Sequence, residues 1–336
     1  MTLKKIILFV VFGISVISLK AQEVPVHEQY IFDYMLVNPC FTGIAESSVI
    51  KLAHREQWTG IKDSPRTSFL LMRHRLKDQN LGIGGYIFTD SNGPNSHHGL
   101  QLSGSYHLLL KSKRTNKLIL SFGISLRGEF HILDESNFES DIYDPVIKYS
   151  SVSSFLPNAN AGILLSTTSL FIGYAVDNLI PYTDKLYNDS YEPRRYFLHN
   201  FHFGKIWNVG RDGQVRPSLT FKTNLHGQNQ ADFSFRYYFL FDKKVKSTFV
   251  KHSNEFWVGI LYKQTMDKQH FSPLSVSPAF GFTFNKFTLS YLYDFGLTRI
   301  QTRNFGTHQI SIGIKFLHNY YSTWNKFDIP YFESDF

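Results

Sequence analysis

Apolar and polar residues alternate over long runs along most of this chain. The clearest run sets Leu118, Leu120, Phe122, Ile124, Leu126 and Phe130 against Ser121, Gly123, Ser125, Arg127 and Glu129. A second sets Leu100, Leu102, Tyr106 and Leu108 against Gln101, Ser103, Ser105 and His107. A third sets Ile310, Ile312, Ile314 and Phe316 against Gln309, Ser311, Gly313 and Lys315. Successive side chains of a strand point to opposite faces, so each run has one apolar face and one wet face. Runs of about ten residues exceed the usual soluble strand of about 5–6. They match a tilted strand crossing a bilayer, which needs about 9–11. The pattern predicts an all-β fold, a transmembrane antiparallel β-barrel in a bacterial outer membrane. A secreted β-sandwich shows similar alternation but in shorter strands, and is the rival fold.

Such segments are expected at 49–58, 67–76, 81–89, 98–109, 118–130, 157–165, 170–177, 196–209, 214–224, 230–240, 255–263, 275–284, 287–294 and 308–316. That makes about 14 strands, an even number as single-chain bacterial barrels have. With an even count both barrel ends are expected on the periplasmic side. Turn chemistry separates the segments: Gly60 and Pro65 in 59–65, and Asp90, Asn92, Gly93 and Pro94 in 90–95. The basic stretch 111–116 reads as a hairpin, and 133–156 and 178–195 as longer loops, the first of them acidic. Glycines 82, 84, 85, 123, 162, 173, 259 and 313 fall within strands, where they mark bends or close backbone approach. The lumen-facing positions read mostly as Ser, Gly, Gln, Asn and Thr with a few charges, which permits a narrow or plugged interior.

The N-terminus refines this picture. Lys4 and Lys5 precede an apolar stretch from Ile6 to Leu19, followed by Lys20 and Ala21. This reads as a signal peptide, residues 1–21, with an uncleaved membrane anchor as the alternative. The expected organisation is then a periplasmic or plug segment at 22–47, the barrel at 48–316 and a periplasmic tail at 317–336. The formal charge of +8 becomes +5 once Lys4, Lys5 and Lys20 leave. No dense basic cluster exists, so no nucleic-acid partner is expected. The 32 Phe and 19 Tyr suit strands, and Tyr and Trp suit the girdles at bilayer interfaces. The single cysteine, Cys40, rules out an internal disulfide framework.

Catalytic chemistry is not expected. Gly82-Ile83-Gly84-Gly85 lies within a strand pattern and no helix follows it, so it lacks the context of a dinucleotide fingerprint. His97 and His98 point to opposite faces of a strand, as do His199 and His202, so no metal-ligand set forms. No serine occupies a recognisable nucleophile turn. No cofactor, metal or catalytic residue is assigned. An outer-membrane porin or small-solute transport barrel is the alternative function.

Several motifs in order carry a family resemblance. Gln29-Tyr30-Ile31-Phe32-Asp33-Tyr34-Met35 leads to Asn38-Pro39-Cys40-Phe41-Thr42-Gly43. Arg55-Glu56-Gln57-Trp58-Thr59-Gly60-Ile61 and Pro65-Arg66-Thr67 follow. Then come Leu81-Gly82-Ile83-Gly84, Gly93-Pro94, Tyr106-His107-Leu108, Gly173-Tyr174-Ala175-Val176-Asp177-Asn178, Tyr291-Leu292-Tyr293-Asp294 and His308-Gln309-Ile310. From about Gln29 to Phe316 the chain resembles the PorP/SprF family of the type IX secretion system of Bacteroidetes. Cys40, Phe41 and Thr42 depart from that family's small and aromatic residues. The resemblance implies a non-enzymatic barrel that supports export or surface anchoring of adhesin-like cargo. Its implied partners are outer-membrane lipid, periplasmic secretion or gliding-motility complex proteins, and the C-terminal domain of secreted cargo. The candidate partner-facing residues are Asn38, Pro39, Gly43, Arg55, Gln57, Trp58 and Gly60. Residues 29–43 are expected to plug the lumen or face periplasmic partners. Trp58, with Arg55 and Gln57, is expected at a barrel rim, as a partner site or as an interfacial girdle residue.

Overall fold

The computed structural model describes residues 25–45, 47–76, 80–113, 116–136, 138, 149–180, 186, 195–241, 254–267, 271–297 and 304–316. The expected signal peptide (1–21), the tail (317–336) and much of the acidic stretch lie outside them. The strands are β1 (Ser48–Glu56), β2 (Arg66–Arg75), β3 (Leu81–Asn92), β4 (Asn95–Lys113), β5 (Asn116–Asp134), β6 (Ser151–Thr167), β7 (Leu170–Asp177) and β8 (Leu198–Lys205). They continue as β9 (Trp207–Val209), β10 (Gly213–Thr223), β11 (Asn229–Phe241), β12 (Asn254–Met266), β13 (Phe271–Phe284), β14 (Phe287–Gly296) and β15 (Thr307–Phe316). Each pairs antiparallel with its neighbours, and the last pairs with the first: Ser48 faces Phe316 and Glu56 faces His308. Strands β8 and β9 pair in succession along β10, so they form one stave interrupted at Ile206. The result is a closed barrel of fourteen staves.

Most strand ends lie beyond the sequence expectation, whereas β1 stops at Glu56, short of 58, and β8 starts at Leu198, later than 196. β5 reaches Asp134 and β6 begins at Ser151, so the expected loop 133–156 shrinks at both ends. Residues 90–95 reduce to a two-residue turn, Gly93-Pro94, between paired Asn92 and Asn95. Polar strand tips keep their ladder hydrogen bonds beyond the greasy band, where alternation of hydrophobicity no longer marks them.

The barrel is inside-out relative to a soluble protein. Leu102 and Leu126 are 60% and 65% exposed, whereas the intervening Gln101 and Arg127 are 1% and 3% exposed. On β1, Lys51 and Arg55 point inward and Leu52 outward. Water would not tolerate such a surface, and hydrocarbon requires it. Placing a charge on it should therefore destabilise the barrel. Leu102→Arg, near the middle of β4, is expected to cost about 2–4 kcal/mol in lipid vesicles. Denaturant unfolding of the reconstituted protein measures this, and Leu102→Phe, which keeps the same outward face apolar, is the control.

The two rims differ. One carries the mostly short connections 76–80, 114–115, 168–169, 210–212 and 285–286 and the longer 242–253, together with the start of β1 and the end of β15. The other carries 57–65, 135–150, 178–197 and 297–306. These are the short-turn rim and the long-loop rim below.

Candidate functional site

The lumen is occupied by the chain that precedes β1. Residues 25–45 pass through it in three 3-10 turns, at Pro25–Gln29, Tyr34–Leu36 and Pro39–Phe41. Two of these start alike. Asp33 Oδ1 accepts from Met35 N at 3.0 Å, and Asn38 Oδ1 accepts from Cys40 N at 2.9 Å. Short Asx side chains satisfy backbone donors that a tight turn leaves free. Pro39 lacks an N–H and has its φ preset for the first position of such a turn.

The wall makes room for this segment. Gly123 of β5 and Gly162 of β6 are register partners. A Cβ at Gly123 would lie 2.5 Å from Cys40 N, and one at Gly162 would collide with Asn38 Oδ1. Farther along, Gly43 has φ +61°, and a Cβ there would lie 2.5 Å from Gly82 Cα. Several in-strand glycines thus mark close approach by a segment about forty or more residues earlier. Aromatic rings fill the rest. Tyr34 stacks on Phe41 with centroids 5.0 Å apart, and both meet Phe171 of β7 edge-on.

The path runs from rim to rim. Glu28 meets Lys222 and Lys263, near the long-loop ends of β10 and β12. Thr42 O accepts from Ser105 Oγ, in the register of Gly82 at the short-turn end of β3. The start of β1 and the end of β15 do share the short-turn rim. The chain before β1 turns back through the lumen, so Pro25–Gln29 lies toward the opposite rim.

Charges pin the segment to opposite walls. Asp33 Oδ2 accepts from Arg73 Nε of β2 at 3.0 Å and lies 3.5 Å from Lys51 Nζ of β1. Lys51 Nζ also donates to Phe32 O at 2.5 Å. Across the barrel, Glu28 is bound by Lys222 Nζ at 2.9 Å and Lys263 Nζ at 2.5 Å. Burial alone would raise the Glu28 carboxyl, but the two ammonium groups outweigh it and hold it well below the usual carboxylate range. The lumen wall is therefore more highly charged than the few charges expected from sequence.

His27 is fully buried, with Nδ1 3.6 Å from Asp177 Oδ2. Burial, then the nearby Arg127 and Lys222, push its pKa well below 6.5, so the folded imidazole is neutral. An unfolded His27 takes up a proton near pH 6.5, and the folded one does not. Stability should thus be full above that pH and fall below it, by up to about 1.4 kcal/mol per pH unit. Unfolding between pH 7 and pH 5 tests this, and the slope should flatten in His27→Asn.

The candidate residues fall into two groups at different depths. Asn38, Pro39 and Gly43 are buried inside the lumen. Arg55, Gln57 and Trp58 gather at the long-loop rim around a cavity of about 250 Å³ that Glu28 and Lys263 also line. Trp58 has left the strand, with φ +55°. Gly60 lies next to it, with φ +95° and the Phe305 ring where a Cβ would stand. Thr59 N donates to Gly306 O at 2.9 Å, which ties this loop to the one before β15. Sequence reasoning missed His27, Glu28 and Asp33 as anchors. The signal available was a set of isolated charges, Lys51, Arg73 and Lys222, alternating with lipid-facing residues.

Among the described residues no group of three His, Cys, Asp or Glu converges to hold a metal ion. Cys40 is buried, its Sγ donating to Ser121 O at 3.4 Å, and burial pushes the thiol's pKa up.

The family described as "Type IX secretion system membrane protein PorP/SprF" matches residues 19–314. No curated protein matches significantly. Similar solved structures include CdiB from Acinetobacter baumannii, 10% identical over 80% of this chain and 60% of that one, with a TM-score of 0.41. This chain therefore spans less than two thirds of CdiB. A CymD monoaromatic hydrocarbon channel is 11% identical over 84% and 91% of the two chains, TM-score 0.45. A KdgM porin is 11% identical over 80% and 99%, TM-score 0.37. Membership of a secretion-system family implies association with components of that system. Because the family match spans nearly all of a barrel whose outer face is built for lipid, the chain belongs to the PorP/SprF family and is an outer-membrane protein of the type IX secretion system.

Proposed function

We propose that this protein is a closed, non-enzymatic barrel that supports export or surface anchoring of cargo proteins. It does so by docking periplasmic secretion-complex partners, the C-terminal domain of the cargo, or both. The observation that carries this reading is the lumen occupied by residues 25–45 and tied by Asp33 and Glu28 to four strands, β1, β2, β10 and β12. A barrel filled in this way has its rims and loops left for partners, and the filled lumen supports this reading over a porin. Short turns lie on the periplasmic side of such barrels. The long-loop rim, with the Trp58 cavity, then faces the cell surface.

The test is a strain lacking the gene, compared with its parent by quantitative analysis of surface proteins. Loss of one or a few large surface proteins, restored by the wild-type gene, is expected. An unchanged surface set, together with lost uptake of a small solute, would overturn the reading in favour of a transport barrel.

A further inference from the structure

The cavity at the long-loop rim lies between Glu28 of the lumenal segment and the ends of β1, β11, β12, β13, β14 and β15. Most of its charges are already engaged. Glu28 binds Lys222 and Lys263. Asp294 Oδ1 accepts from Ser277 Oγ at 2.7 Å, and its Oδ2 lies 3.8 Å from Lys263 Nζ.

Arg55 differs: the carboxylates of Glu28, Asp90 and Asp294 act on it through space, yet none is paired with it. It lines the cavity and is only 7% exposed, yet its Nε has no hydrogen-bond partner and its guanidinium forms no ion pair among the described residues. Directly opposite in the register with β15 is Gln309, 1% exposed, with neither amide atom partnered. Gln309 shares the inner face of β15 with Thr307, which lines the cavity. A guanidinium with a buried, unpaired Nε, next to a buried amide with both atoms unpaired among the described residues, is costly unless something completes the set.

We propose that this cavity binds a carboxylate, anchored by the Arg55 guanidinium, which the buried Gln309 amide backs from the adjoining register position. The fork of a guanidinium matches the two coplanar oxygens of a carboxylate. Glu28 and Asp294 in the same wall disfavour a second negative charge, which selects a monoanion over a phosphate dianion. Trp58 and Leu274 offer an apolar edge to the carbon chain behind the carboxylate, and Gln57, Gln230 and Ser275 offer partners for an amide. The volume corresponds to about eight waters at roughly 30 Å³ each. That suits a small acyl amino acid or the last residue or two of a peptide. Both carry the same chemistry. The inference rests on the rim geometry and stands apart from the closed-barrel reading.

The full-length protein in detergent is titrated calorimetrically with N-acetylglycine, N-acetyl-triglycine, the C-terminal amide of each, and inorganic phosphate. The acids are expected to bind, with the amides and phosphate about tenfold or more weaker. Arg55→Gln should lose at least about tenfold in affinity for the acids, and Arg55→Lys should lose less. Gln309→Leu should weaken binding several-fold. Tighter binding of the triglycine acid points to a chain end, and equal binding to a free small acid. The acid-against-amide comparison uses wild-type protein, so it holds even if an Arg55 variant fails to fold. Acids and amides binding alike, phosphate binding best, or no acid binding up to about 10 mM overturns the proposal.

Discussion

Removal of residues 25–45 should turn a silent barrel into a conducting one. The wild-type protein in a planar bilayer is expected to show no large steady current, and the deletion variant a steady conductance roughly tenfold or more above that baseline. Fourteen staves enclose a lumen that those residues fill with backbone and aromatic side chains. Once they leave, the exposed wall is wet and mainly basic, with Lys51, Arg73, Arg127, Arg216, Lys222 and Arg236 against Glu129, Asp232 and Glu255. The open pore should therefore favour anions. Gly123→Leu approaches the same end without shortening the chain, because its side chain would stand where Pro39 and Cys40 meet the wall. Partial opening and faster protease cleavage of the segment are expected. A wild-type protein that conducts as well as the deletion variant would show the lumen to be open.

Asp33→Ala should be the most damaging single substitution in the segment, at about 3–5 kcal/mol by denaturant unfolding in vesicles. Asp33 is 4% exposed and caps the second turn. It also answers two buried cations, Arg73 at 3.0 Å and Lys51 at 3.5 Å. Removing it takes the carboxylate from Arg73 and a negative charge from beside Lys51 in a nearly buried site, which costs far more than losing a surface pair would. If uncompensated charge is the cause, adding Arg73→Met and Lys51→Met to Asp33→Ala should recover most of the loss. If the lost cap dominates, the triple variant should stay near the single one. A loss for Asp33→Ala under about 1 kcal/mol, the range of an exposed pair, would mean that the segment is not clamped there.

The staves were legible because their driving force is local and periodic. On β4, β5 and β15 every second residue meets hydrocarbon, and a period of two is visible in a single sequence. Strand tips such as Ser151–Val152 were not legible, since beyond the apolar band no face selects side chains. They are held by pairing instead, as Asp134 is with Ser151. The charged lumen was only partly legible. Lys222 and Lys263 look like ordinary wet-face residues until Glu28 is placed between them, and Glu28 is 194 and 235 positions away. The in-strand glycines were visible as exceptions, but not what approached them. Arg55, Gln57 and Trp58 stood out as a motif, whereas the part played by Glu28 and Gln309 at the same rim did not.

Read alone, the chain determined a lipid-facing closed sheet, its approximate stave count and its family, because each of these follows from side-chain alternation or from short motifs in order. Only the tertiary structure decided that residues 25–45 turn back through the lumen, cross from rim to rim, and leave Arg55 Nε and the Gln309 amide without hydrogen-bond partners among the described residues, beside a cavity. Those features depend on ion pairs and backbone contacts between residues far apart in sequence, and no local period encodes which distant partner a charge or a glycine will meet.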